Sequence, residues 1–248
     1  MESTLISSRY ETDEILNQYL LFHYGRDRDL MPFSFGPREA LNFPVRCVEE
    51  CFNKKASMAL ELGCAVGRSS FELSRYCKSV LAVDNSSVFI SAAQQIQQQG
   101  YLDYTILGEG TERSVRTARI PEGIEPGRIH FKCCDVMDVP LEAYDVVLAA
   151  NLLCRLRDPS AFLKRLREWV VPGGKLILTT PFSWLEEFTP RSHWLSAENV
   201  DRSLEEYFEL ERAFDMPFLI REHLRKYQWG VTRAAIWKRR ESVSARRA

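Results

Sequence analysis

A chain of 248 residues, 45% of them hydrophobic, can bury one substantial core without disulfide or metal staples. With 33 Lys and Arg against 34 Asp and Glu, its formal net charge of -1 excludes an electrostatic drive toward nucleic acid or a membrane surface. Seven cysteines, at 47, 51, 64, 77, 133, 134 and 154, are an odd number with no secretory segment before them, and they point to free thiols in a reducing cytoplasm.

From the amino end, Thr12 and Asp13 signal a cap ahead of Ile15, Leu16, Tyr19, Leu20, Phe22 and His23 at helical spacing, and Gly25 ends the run. Residues 31–37 form an aromatic, breaker-rich loop containing Phe33 and Phe35. A second helix is expected from Glu39 to Phe52, carrying Arg46.

The sequence Met58-Ala59-Leu60-Glu61-Leu62-Gly63-Cys64-Ala65-Val66-Gly67-Arg68 joins an apolar run, an acid, a small-residue turn and a helix start. A second apolar run then closes on Asp84, followed by Asn85. This is the pattern of a β-loop-α-β nucleotide site. Gly63, Ala65 and Gly67 let backbone amides approach a ligand, and the helix N-terminus offers an anion roughly 0.3–1 kcal/mol. Asp84 stands about twenty residues beyond the first glycine, where an acid accepts hydrogen bonds from ribose hydroxyls. The loop lacks the third glycine of the dinucleotide fingerprint, with Arg68 in its place, and no phosphate-binding G-x-x-x-x-G-K-[ST] loop occurs. It resembles instead motif I of class I S-adenosylmethionine (SAM) methyltransferases, with Ala65 at the middle glycine. That resemblance implies SAM as cofactor, held by Glu61, Gly63, Cys64, Ala65, Gly67, Asp84 and Asn85.

Ser87 to Gly100 reads as a helix, and 101–127 as an insertion able to form a hairpin. Arg128 to Cys134 is the third strand, after which the resemblance places Asp135 and Val136 on the adenine. Tyr144 to Asn151 is an almost wholly apolar fourth strand, as expected for one buried on both faces of a parallel sheet, with Asn151 at its ligand-binding carboxyl end. Asp158-Pro159 opens a helix through Trp169, Pro172-Gly173-Gly174 turns the chain, and Lys175 to Thr180 is the fifth strand. Tyr207 to Phe214 and Gln228 to Lys238 complete the sheet as an antiparallel hairpin. The expected fold is α/β and Rossmann-like: seven mostly parallel strands with an antiparallel terminal hairpin and helices on both faces. Residues 1–55 form a helical lid segment, 56–240 the core, and 241–248 a flexible basic tail containing Arg246 and Arg247.

Several stretches are less generic. Tyr19-Leu20-Leu21-Phe22-His23-Tyr24-Gly25, Phe43-Pro44-Val45-Arg46-Cys47, Ala149-Ala150-Asn151-Leu152-Leu153-Cys154-Arg155-Leu156, the run from Leu178 to Pro190 and Pro217-Phe218-Leu219-Ile220-Arg221-Glu222-His223 together resemble the 4-mercaptohistidine N1-methyltransferase family of ovothiol biosynthesis, across about residues 10 to 240. The resemblance implies methylation of a ring nitrogen of 5-thiohistidine, with the sulfur chemistry left to a separate iron-dependent sulfoxide synthase as functional partner. The chain offers no histidine cluster for that chemistry: His23, His130, His193 and His223 are scattered, and no metal site is expected. In such a site Tyr19, Tyr24, Phe35 and Arg46 of the lid line the acceptor pocket. Asn151 hydrogen-bonds the ring or holds the cofactor, and Trp184, Phe188 and Tyr24 sandwich the imidazole. Glu186 or Glu187 meets the substrate ammonium, Arg46 or Arg221 its carboxylate through paired hydrogen bonds, and His223 is the candidate proton acceptor. The alternatives are a SAM-dependent methyltransferase for another small amine or heterocycle, and a non-catalytic SAM-binding partner of the synthase.

Overall fold

The computed structural model describes residues 9–241; Arg246 and Arg247 of the expected tail lie outside the described residues. Helix α1 (Asp13–Tyr24) starts where the Thr12 hydroxyl accepts the Ile15 amide at 3.3 Å. A short helix α2 (Asp27–Leu30) follows. The second helix expected over 39–52 divides into a 3-10 turn, Arg38–Ala40, and α3 (Phe43–Glu49). Asn42 lies between them in the left-handed region (φ 57°), and Pro44 suits only a helix's first turn, so the backbone restarts there.

The core runs β1 (Ala56–Leu62), α4 (Arg68–Leu73), β2 (Cys77–Asp84), α5 (Ser87–Gln99), a two-stranded ribbon β3 (Tyr101–Leu107) and β4 (Arg113–Arg119), then β5 (Ile129–Cys133), β6 (Tyr144–Ala150), α6 (Pro159–Trp169), β7 (Val170–Thr180), α7 (Ala197–Leu204), β8 (Phe208–His223) and β9 (Lys226–Arg239). The sheet order is β5-β2-β1-β6-β7-β9-β8, with the first five strands parallel and β9 and β8 antiparallel. The chain winds outward from β1 through β2 to β5, then returns to β6 on the other side of β1. This reversal leaves a crevice at the carboxyl ends of β1 and β6, where open α/β sheets bind ligands.

Strand alternation divides the core. Leu60 and Leu62 of β1 pack with Phe162, Leu166 and Trp169 of α6, and Ala59 faces the layer that holds Phe71, Phe89 and Leu20. Each fully buried Leu or Phe stabilises the fold by roughly 1.5–3 kcal/mol, so the two layers together fix the sheet that carries the site.

Three departures from expectation have local causes. Pro172-Gly173-Gly174 does not break the chain; it forms an irregularity within β7, where the register jumps between the Tyr144/Val170 and Val146/Lys175 pairs. The terminal hairpin is longer than expected because β8 continues through Pro217, which an edge strand tolerates, since its missing N–H can face away from the ladder. Helix α7 was not anticipated, although Ser196 and Asn199 form a capping box at its start. The β3–β4 ribbon is tied to the first two helices: the Asn17 side-chain oxygen accepts the Thr105 amide at 2.7 Å, and Arg116 pairs with Asp29 at 2.7 Å. Among the described residues no helix is long and apolar enough to cross a membrane.

Candidate active site

At the carboxyl end of β1 the chain turns through Gly63 (φ 76°), Ala65 (φ 47°) and Gly67 (φ 82°). The expectation that these amides face a ligand needs correction. Gly63 and Cys64 both donate to the Val83 carbonyl (2.9 and 3.0 Å), Gly67 donates to Cys64 O (2.9 Å), and Ala65 donates to the Asp84 carboxylate (2.9 Å). The loop therefore serves by shape, because its internal bonds press bare backbone against the crevice. Gly63 permits the fit: a Cβ there would stand 3.1 Å from Leu152. Glu61 is buried but still reaches the lining of the crevice, and it accepts hydrogen bonds from the Ser69 and Ser70 hydroxyls at the start of α4. Burial pushes its carboxyl up to about 7, against the pull of those two hydroxyls.

Asp84 is half-buried. Burial raises its pKa, and the amides of Ser86 (2.9 Å) and Ala65 pull the other way. The cavity in front of it measures about 610 Å³, within the range of small-molecule sites, and one side of it is lined by Gly63, Ala65, Asp84, Asn85, Asp135 and Val136. Asp135 caps the Val136–Asp138 turn by accepting the Met137 amide at 2.8 Å. Cys64 and Gly67, both expected at the ligand, lie behind it. Cys64 is buried in the core, and Gly67 packs where an added Cβ would strike the Phe131 ring at 2.7 Å.

Asn151 also lines the cavity, in a left-handed conformation (φ 53°). Its side-chain oxygen accepts from the Thr179 (3.0 Å) and Thr232 (2.8 Å) hydroxyls. Thr179 Oγ1 also accepts the Asn151 backbone amide at 3.1 Å, so the two residues are doubly linked, with the carboxamide oxygen turned toward the two hydroxyls. The side-chain NH2 is then the group Asn151 has to offer a ligand. Ala65, Asn151 and Phe182, three of the four non-glycine residues at positive φ among the described residues, all follow parallel strands at this end of the sheet.

The opposite wall was largely missed in the sequence. Tyr10, Gln18, Tyr19 and His23 approach from the amino-terminal segment, Arg155 from the loop after β6, and Trp229 from the hairpin. Tyr10 packs edge-on against Tyr19, ring centres 6.0 Å apart, and lies 6.1 Å from the Phe188 ring centre. Arg155 is anchored through Nη1 to the carbonyls of Cys154 and Ser183, each at 2.9 Å, and its guanidinium lies 5.3 Å from the Phe188 ring centre. Only Tyr19 had been noted as pocket-facing. The Arg155 position after the fourth strand was the readable signal; Tyr10 carried none.

Of the residues expected to hold an acceptor, Tyr19, Asn151 and Phe188 line the cavity. The others are placed elsewhere. Tyr24 turns its hydroxyl away to donate to Val66 O (2.7 Å), and Phe35 is 73% exposed, stacked on Phe33. Arg46 pairs with Glu50 and donates to Glu39 O and Pro217 O, which ties α3 to β8. Arg221 is buried on the other face of β8 and donates to the Asp29 and Leu107 carbonyls. Trp184 donates to Leu195 O (3.1 Å), and Glu186 pairs with Arg191 at the surface. His223 sits at the hairpin end and accepts the Arg225 amide. Each of these side chains is committed to a partner that the sequence did not identify.

Residues 60–178 match the family described as a methyltransferase domain. The N-methyltransferase NodS from Bradyrhizobium japonicum WM9, in complex with S-adenosyl-l-homocysteine, superimposes with a TM-score of 0.55 at 18% identity, covering 91% of this chain and 99% of that one. By fold, the chain is similar to class I SAM-dependent methyltransferases. The [4+2]-cyclase SpnF matches the chain with a TM-score of 0.60 at 14% identity over 95% of both chains. A tRNA U34 carboxymethyltransferase from Alteromonas mediterranea is 28% identical over 191 residues, 72% of this chain and 51% of the relative. The chain thus spans about half the length of that curated relative. Its residues suit the cofactor: a carboxylate at the ribose position, a close-approach turn and a crevice large enough for a nucleoside and a second molecule.

Proposed function

We propose that this methyltransferase transfers the methyl group of SAM to a ring nitrogen of 5-thiohistidine, the nitrogen adjacent to the carbon bearing the side-chain branch, in the last step of ovothiol biosynthesis. One observation carries the reading. The five stretches that resemble that family come from distant parts of the chain, yet each contributes to a single cavity: Tyr19 and His23, Phe43 and Pro44, Asn151 and Arg155, Pro181 and Phe188, Phe218 and Ile220. The resulting compartment pairs one anchored guanidinium with aromatic walls, which suits a zwitterionic amino acid carrying a flat heterocycle.

Bound SAM supplies an electrophilic methyl group. Arg155 takes the substrate carboxylate, Tyr19 and Phe188 sandwich the ring, and the Asn151 NH2 donates to the ring sulfur, lowering its competence as the competing nucleophile. The acceptor nitrogen attacks through its own lone pair, so the chain needs no obligate general base, and its task is to hold that atom at about 3–3.5 Å from the methyl carbon. A separate sulfur-inserting enzyme must supply the substrate.

The tRNA-modifying relative supports a second reading, transfer to a nucleobase, although a net charge of -1 provides little phosphate neutralisation. Incubating the purified protein with methyl-labelled SAM and, separately, 5-thiohistidine, histidine, other small amines and bulk tRNA distinguishes these. Label is expected in thiohistidine alone. Transfer to another acceptor with none to the thiolated ring rejects the proposal, and SAM binding without any product indicates a non-catalytic partner module.

A further inference from the structure

Resting on the thiohistidine reading, we propose that His23 sets which nitrogen is methylated: its imidazole accepts the N–H of the acceptor's second ring nitrogen, leaving the lone pair on the first. His23 occupies the last turn of α1 and lines the cavity, yet it is only 9% exposed, and its Nδ1 finds no hydrogen-bond partner among the described residues. The ring is held by aromatic contacts alone: Tyr19 stacked at 6.0 Å, Phe22 edge-on at 5.3 Å and Tyr24 at 6.4 Å. Burial, assisted by Arg68, pushes its pKa down to about 3, so the ring is neutral at physiological pH and always keeps one unprotonated nitrogen. Nδ1 is closed off from the cavity, so the ring nitrogen that can meet a ligand there is Nε2, whose lone pair is free when the ring proton sits on Nδ1.

The chemistry gives that acceptor a use. A thiolated imidazole bearing one ring proton exists as two tautomers, and only the nitrogen without the proton can attack. A hydrogen bond to His23 selects the tautomer protonated on the nitrogen next to the sulfur-bearing carbon. The other nitrogen's lone pair forms the new N–C bond as the methyl–sulfur bond breaks, and that bond's electron pair stays on the sulfur of S-adenosylhomocysteine. The positive charge left on the ring is balanced when the thiol proton departs to water. His23 gains no net proton in the turnover.

Product isomers are read by NMR from the wild type, His23→Phe and His23→Gln, with S-adenosylhomocysteine affinity measured by calorimetry. The wild type is expected to give one ring-nitrogen isomer. His23→Phe is expected to give a mixture of ring-nitrogen and sulfur methylation at a kcat/KM about tenfold or more lower, with cofactor affinity unchanged, as fits the loss of one hydrogen bond to a reacting ring. His23→Gln, which keeps an acceptor oxygen, restores the single isomer as the major product. The same single isomer from His23→Phe at wild-type kcat/KM overturns the assignment, and so does a mixture from His23→Gln equal to that from His23→Phe. If His23→Phe loses cofactor binding, His23→Leu takes its place in the same comparison. No thiohistidine product from the wild type overturns the functional reading as well, which separates the two failures.

Discussion

Asp84 has two duties: it braces the turn by accepting the Ala65 amide, and it faces the cavity where ribose hydroxyls arrive. Replacing it with Asn leaves one acceptor and removes the charge, so Asp84→Asn is expected to weaken S-adenosylhomocysteine binding by about 10–100-fold in calorimetry. Unchanged affinity would move the ribose elsewhere. Arg155 should behave differently, because the proposed function puts it on the acceptor side. Arg155→Met is expected to raise the KM for thiohistidine at least about tenfold with cofactor affinity intact, and a loss confined to cofactor binding would reassign it. Glu61 provides a pH signature. Its folded pKa of about 7 lies above its ordinary 4.5, so between those values the folded state holds more protons than the unfolded one, and stability falls as pH rises through that window. Thermal melts of the wild type from pH 5 to 8 should show that decline, and Glu61→Gln should flatten it.

Gly67 is where an element's start depends on one residue. It begins α4 at φ 82°, and a Cβ there would lie 2.7 Å from Phe131 and 3.2 Å from Ala93. Gly67→Ala therefore adds left-handed strain to a steric clash and is expected to destabilise the protein by about 2–4 kcal/mol, seen as a lower urea midpoint. The β3–β4 ribbon acts on α1 from the outside. Burial works against ionisation of Asp29, but Arg26 and Arg116 outweigh it and hold its carboxyl below the ordinary range. Arg116→Ala should loosen the ribbon from the first helices and speed amide hydrogen exchange in α1, while the sheet strands keep their protection. Sequence reading performed unevenly at this scale. The apolar runs of β1, β2 and β6 and the Asp158 cap of α6 were legible because period and capping are local. The extension of β8 past Pro217 was not, since edge position is a property of the assembled sheet.

Taken whole, the molecule shows the same division between local and distant information. Gly63, Ala65, Asp84, Asn85, Asp135 and Val136 could be named from the chain because each sits at a fixed step from a strand end. Arg46, Arg221, Trp184 and His223 were plausible by residue type alone, and each proves to be committed to a backbone group contributed by another part of the structure or, for His223, two residues along. Tyr10 and His23 gain their positions only when the amino-terminal segment folds over the crevice. A ligand bridging that segment and the sheet should therefore stabilise both. S-adenosylhomocysteine at a hundred times its Kd is expected to add about 2.7 kcal/mol, read as a raised melting temperature. The nucleoside side is drawn from parallel strand ends, whereas the facing wall comes from α1, post-strand loops and the hairpin tip. Evolution can consequently retool what such a fold accepts by rewriting peripheral segments while the strand-end chassis stays untouched, which makes transplanting α1 and the hairpin tip into a distant relative a rational test of the proposed function.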